Sequence, residues 1–263
     1  MTVRLAAGCG EELARYCHAW ERHGVRFGIT GAHHRLEGYG EMFTAMCGTP
    51  EGMEGGGERV VLLSGVPGMV RFPYGYPDRS LRGRVNPRFL DAAPLLRDAP
   101  HLFGRKDWTL VLPVAPFSPA EGIGPPEFVQ RLRRFLDALP AGGRTAVQVG
   151  NGRLLVPDYF ALLRDRGVTH VAGDGVDMPD LFEQILHPGI PTAGRVIIRA
   201  AAPRSVRART LLCGVIRRCL GGGTPATLLL EDPAELSARA LLPVMEELNG
   251  DLACRSVLRR RAA

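Results

Sequence analysis

Residues 146–173 read AVQVGNGRLLVPDYFALLRDRGVTHVAG, and the fold is decided there. An apolar run at 146–150 is followed by a turn-rich stretch, a helical pattern at 158–165 and a second apolar run at 170–173. Short β-branched or apolar runs separated by helical patterns predict strand–helix–strand units with parallel strands. The same alternation extends in both directions. Strands are predicted at 3–6, 26–30, 60–64, 109–113, 146–150, 170–173, 196–199 and 227–231.

Between these runs lie apolar faces at helical spacing. Leu13, Tyr16, Cys17 and Trp20 form one face, Phe128, Leu132, Phe135 and Leu136 a second, and Leu212, Val215, Ile216 and Cys219 a third. A last helix is predicted after Asp232, a plausible N-cap followed by Pro233, and carries Leu241, Val244, Met245 and Leu248. Weaker helical patterns occupy 41–47, 86–96, 158–165 and 179–186. Strand–helix alternation repeated eight times predicts an α/β fold whose natural closure is a (β/α)8 TIM-type barrel, with an open doubly wound sheet as the alternative. No linker divides the chain, so residues 1–263 are expected to form a single domain.

Composition narrows the function classes without choosing one. The chain has 45% hydrophobic and 23% charged residues, a globular profile, and no apolar run long enough to cross a bilayer. Six scattered cysteines without a C-x-x-C pair fit reduced thiols of a cytoplasmic protein and provide no metal site. Neither a metal nor a cofactor is expected. The net charge is +6, and 32 of the 33 basic residues are arginine, Lys106 being the only lysine. Arginine's planar fork suits phosphate and carboxylate, although an arginine-biased genome produces the same composition.

Several motifs bear on where a ligand sits. The stretch 65–85 follows the third predicted strand and combines Arg71, Arg79, Arg82 and Arg84 with Tyr74 and Tyr76. In a barrel such a loop lies on the C-terminal face, where sites are built. Gly55-Gly56-Gly57 and Gly221-Gly222-Gly223 precede strands, and so are expected as αβ turns; a phosphate-cradling loop follows a strand and opens a helix. Gly8-Cys9-Gly10 is placed correctly for anion contact but is too short for a dinucleotide fingerprint. His33-His34-Arg35, expected just beyond the second strand, is the densest polar group at a strand end, and one imidazole there suits acid/base work near neutral pH. The tail Arg259-Arg260-Arg261 is a solvated end or a weak nucleic-acid contact.

The segments TPEGM, NPRFLDA, LVLPVAPFS, FLDALPAGGRTAVQV, YFALLRDRGVTHVAGDG and LLEDPAELSARALL resemble, in order and spacing, the YecE-like family, domain of unknown function 72. The resemblance spans most of residues 25–248 and implies a TIM-type barrel but no established reaction. The departures from the family pattern include two carboxylates and a lysine. In FGITGAHHR, Gly28 stands where the family carries a glutamate, Thr30 replaces an asparagine and His34 a tyrosine, while Arg35 is kept. Gly65 stands for a lysine. In AVQVGN, Gln148 replaces a glutamate and Gly150 an arginine, and the family's long first βα loop is missing after Cys9. Asp174 and Arg199 match the family at the sixth and seventh strand ends. Gln148 is nearly isosteric with glutamate but exchanges no proton near neutral pH.

Three readings follow. In the first, a divergent barrel binds a small anionic ligand or a protein partner through Arg35, Gln148, Asn151, Asp174, Arg199 and Arg71, with ancestral catalysis lost. In the second, an active hydrolase or lyase uses His33 or His34 as acid/base and Arg199 to hold a phosphate or carboxylate. In the third, the basic loop and tail serve nucleic-acid processing. None involves a membrane.

Overall fold

The computed structural model describes residues 25–36, 40–47 and 59–62 as backbone, and 89–98, 100, 103, 108–114, 116, 123–140, 144–175, 177–201, 205–231 and 247. The fold is α/β. Among the described residues the strands are β1 (Val25–Leu36), β2 (Gly40–Cys47), β3 (Arg59–Leu62), β4 (Trp108–Val114), β5 (Arg144–Val149), β6 (Thr169–Gly173), β7 (Val196–Ala201) and β8 (Ala226–Glu231). They close in sequence order, with β8 pairing back onto β1. The helices are α1 (Ala93–Asp98), α2 (Pro125–Ala138), α3 (Pro157–Asp165), α4 (Leu181–Leu186) and α5 (Val206–Gly221), with a 3-10 turn at Gly152–Leu154.

From β3 to β8, and across β8–β1, every neighbouring pair is parallel. The sequences VIIRAA and THVAG show why: they are almost continuously apolar, as strands buried on both faces must be. One face looks inward. Val111, Ala146, Val171, Ile197 and Leu229, one from each of five strands, form an inner cluster with 0% exposure. The other face packs under the helices, where Leu110, Leu112, Val147 and Val149 meet Phe128, Leu132 and Phe135 of α2 and Tyr159, Phe160 and Leu163 of α3.

The helices begin and end on local chemistry. Pro125 and Pro157 open α2 and α3, where a missing N–H costs nothing. Asp180 caps α4 by accepting from the Glu183 N–H at 2.8 Å. After α5 the chain turns at Gly223, whose φ of +68° disfavours a side chain, so this glycine cluster is the expected αβ turn.

The barrel is not the all-parallel one expected. Residues 41–47, read as a helix, form strand β2, which runs antiparallel to both β1 and β3. Met42, Phe43, Met46 and Cys47 recur at spacings that fit a helix as well as a strand. A helix of seven residues has little stability of its own, whereas as a strand the segment pairs with β1 along its length and with β3 at Phe43 to Met46. β1 also runs further than the predicted 26–30. It continues to Leu36 through a register shift between Thr30 and Ala32, the mark of a bulge. His33, His34 and Arg35 are therefore strand residues, facing Phe43, Met42 and Glu41 in the β1–β2 ladder, and not the loop residues expected. Closure falls between β8 and β1, in the place foreseen for 3–6. That stretch, the helix carrying Leu13 to Trp20, the loop 65–85 with Arg71, Gly55-Gly56-Gly57 and the last predicted helix lie outside the described residues. No helix among the described residues is long and apolar enough to cross a membrane.

Candidate functional site at the barrel mouth

Strand alternation puts every second residue of a strand on one face. On β7 the inward position is Ile197, so Arg195 just before the strand and Arg199 within it face the interior as well. They lie on opposite sides of the apolar inner cluster. Arg195, at the start of the strands, donates from Nη2 to the Thr109 hydroxyl at 2.7 Å and from Nε to the Thr169 hydroxyl at 3.3 Å. Both threonines are buried. Arg199, at the C-terminal end, donates from Nη1 to Oε1 of Gln148 at 2.6 Å. Gln148 stands two residues beyond inward-facing Ala146, by the same alternation.

Gly173 makes this contact possible. It pairs in register with Arg199 across β6–β7, and a Cβ built on it would lie 2.4 Å from Nε2 of Gln148. Any side chain there displaces the amide. The Gly173 backbone is itself held from α4: its N–H donates to Oε1 of buried Gln184 at 3.2 Å, and its carbonyl accepts from the Gln184 Nε2 at 2.9 Å. That Nε2 also donates to the Pro179 carbonyl at 2.6 Å.

The remaining candidates divide. Asp174 is exposed beside the mouth, and its Oδ2 accepts from the Ala201 N–H at 2.8 Å, stapling the end of β6 to the end of β7. Its own N–H donates to the Arg199 carbonyl at 3.4 Å. The structure thus brings Gln148, Asp174 and Arg199 to one end of the barrel. Asn151 is buried, and its Oδ1 caps the 3-10 turn by accepting from the Arg153 N–H at 3.0 Å, so this oxygen serves its own loop. His33, His34 and Arg35 extend past Val25–Ile29, the part of β1 paired with β8. Next to Asp174, between α4 and α5, lies an apolar cavity of about 190 Å3 lined by Leu181, Phe182, Leu211, Leu212 and Val215.

Two features escaped the sequence reading. Arg195 was visible as the inward partner of Ile197 and Arg199, had the parity of β7 been followed backwards. The other is a buried polar cluster on the outer face of β6. There His170 Nδ1 lies 3.0 Å from the Tyr159 hydroxyl, and Phe160 sits between the rings of His170 and His187 at 5.5 and 4.2 Å. Burial strips solvent from the His170 imidazole and, with His187 adding to the effect and Gln184 opposing it, pushes it down to about 3, so the ring is neutral. Burial also drives the Tyr159 phenol well above its ordinary value. This cluster lies under α3 and α4, away from the mouth, and its chemistry is that of a packed wall. No group of three His, Cys, Asp or Glu residues among those described can hold a metal ion.

No protein-family model matches the chain, and neither does any curated protein. Two solved structures are similar to it. One is a DUF72 family protein from Thermotoga maritima, at 15% identity and a TM-score of 0.40, covering 62% of this chain and 65% of that one. The other is a DUF72 family protein from Enterococcus faecalis, at 12% identity and a TM-score of 0.39, covering 62% of this chain and 67% of that one. The chain therefore spans about two thirds of the length of the proteins it resembles in structure.

Proposed function

We propose that this chain is a divergent YecE-like barrel of the (β/α)8 type, with β2 replacing one crossover, that binds a small anionic ligand at the C-terminal mouth. The ligand carries a phosphate or a carboxylate. One observation carries the reading: Arg199 is half-buried at the mouth beside an apolar floor, and its Nη1 donates to the amide oxygen of Gln148. A guanidinium in that setting is a fixed cation with donor geometry matched to oxyanions. Gln148 can neither accept nor release a proton near neutral pH, so the mouth recognises charge without acid/base chemistry at this position. Asp174 belongs to the rim in this reading, and Asn151 caps the turn that follows β5.

The test is a calorimetric titration with inorganic phosphate on the full chain and on Arg199→Ala. Removing a charge-assisted hydrogen bond is expected to weaken binding by roughly ten- to a hundredfold, with little change in melting temperature. A large drop in melting temperature with unchanged phosphate affinity would make Arg199 a structural tie and sink the assignment.

A further inference from the structure

We infer that Gln148 is the specificity-determining residue of this mouth, presenting its Nε2 hydrogens as a second set of donors beside Arg199, so that the ligand is an oxyanion accepting from amide and guanidinium together. The inference rests on the anion-binding reading above and adds to it the identity and polarity of the second contact.

An amide has an accepting end and a donating end, and the neighbour decides which faces it. A guanidinium has only donors. The end of Gln148 that meets Arg199 at 2.6 Å is therefore its oxygen, and the nitrogen must point the other way. That nitrogen lies over Gly173, in the space a side chain would fill. Gly173 cannot retreat, because Gln184 holds both its N–H and its carbonyl. The amide is thus clamped at one end by the charge and bounded below by a bare backbone. What it shows a ligand is N–H. Carboxylate and phosphate share the chemistry this arrangement recognises: an anionic oxygen with lone pairs for two donors. A primary amine or a metal cation finds no acceptor in this pair of side chains, since the Gln148 oxygen is turned to Arg199.

The experiment uses the full-length chain with 15N label and follows the side-chain signals of Gln148 and Arg199 while inorganic phosphate, and separately acetate, is added. The Gln148 amide pair is assigned by its disappearance in Gln148→Leu. The expected result is a saturable shift of the Gln148 Nε2 protons, in step with the Arg199 signals, and the probe that saturates at the lower concentration tells phosphate from carboxylate. Gln148→Leu, similar in bulk but without a donor, is expected to bind that probe roughly ten- to a hundredfold more weakly. If a probe binds and Arg199→Ala abolishes the binding, but the Gln148 protons stay still and Gln148→Leu binds like the parent chain, the inference is overturned and the anion-binding reading stands. If neither probe gives a saturable shift in the parent chain, both fall. The Gln148 protons are followed in the parent chain itself, so a substitution that fails to fold does not stop the shift, or its absence, from deciding the inference.

Discussion

Arg195 and Arg199 point into the same barrel from the same strand and are held in opposite ways. At the floor, Arg195 is gripped by Thr109 and Thr169, buried hydroxyls from two different strands. The result is a tie between β4, β6 and the entry to β7. At the mouth, Arg199 donates to the long amide of Gln148, which lies over a glycine. The glycine gives up to the amide the space that a side chain of its own would take. The same side chain thus meets two short hydroxyls at one end of the barrel and a longer, bendable amide at the other.

That contrast can be broken in stages. The largest effect concerns neither arginine. His170 in the folded chain is pushed down to about 3, below its unfolded value near 6.5. Between these two pH values the unfolded chain takes up a proton that the folded chain refuses, so the associated stability is intact above about pH 6.5 and is lost as pH falls toward about 3. The loss is about 1.4 kcal/mol per pH unit while it lasts, on the order of 4–5 kcal/mol in all. Thermal melts of the parent chain and His170→Phe from pH 7 to 4 check this: the variant is expected to show a flatter acid slope. Equal slopes would mean that the wall under α3 and α4 does not set acid stability.

Next comes the floor. Arg195→Ala removes a charged donor from two buried threonine hydroxyls and is expected to destabilise the chain by about 2–3 kcal/mol, with phosphate affinity unchanged. Chemical denaturation together with the phosphate titration measures both. A variant of normal stability that had lost phosphate binding would reverse the roles assigned to floor and mouth. The smallest effect sharpens the boundary between them. Asp180→Ala removes the cap of α4, the helix whose Gln184 holds Gly173, and is expected to cost about 1 kcal/mol. Phosphate affinity should change by less than about twofold, and a larger change would show that the cap, and not Gln184 itself, positions the mouth.

The parts of the fold that could be read from residues alone are those where local pattern and tertiary fate agree. Strands β4 to β8 fall within two residues of their expected ranges, because their β-branched and aliphatic runs serve only a doubly buried strand. α2 and α5 bury the faces foreseen for them: Phe128, Leu132, Phe135 and Leu136, and Leu212, Val215, Ile216 and Cys219. β2 was misread because GEMFTAMC suits either structure, and the choice is made by the edges of β1 and β3, which no local window contains. The site follows the same rule. Gln148, Asp174 and Arg199 were legible as polar residues at the ends of apolar strands. Their partners were not: Arg199 turns to Gln148, 51 positions away, and Asp174 to a backbone N–H of β7. Such pairings depend on how the strands are staggered, and that stagger is a property of the closed sheet.

The inner cluster has a consequence of its own. Val111, Ala146, Val171, Ile197 and Leu229 are out of reach of water and form an apolar layer between the positions of Arg199 and Arg195 on these five strands. The electric field crosses that layer. Four residues of strand separate the two guanidinium-bearing positions by about 13 Å, and at an effective dielectric constant near 20 two cations at that distance repel by about 1 kcal/mol. An anion held at the mouth cancels part of that repulsion, and the floor feels its arrival through space, with no atom displaced.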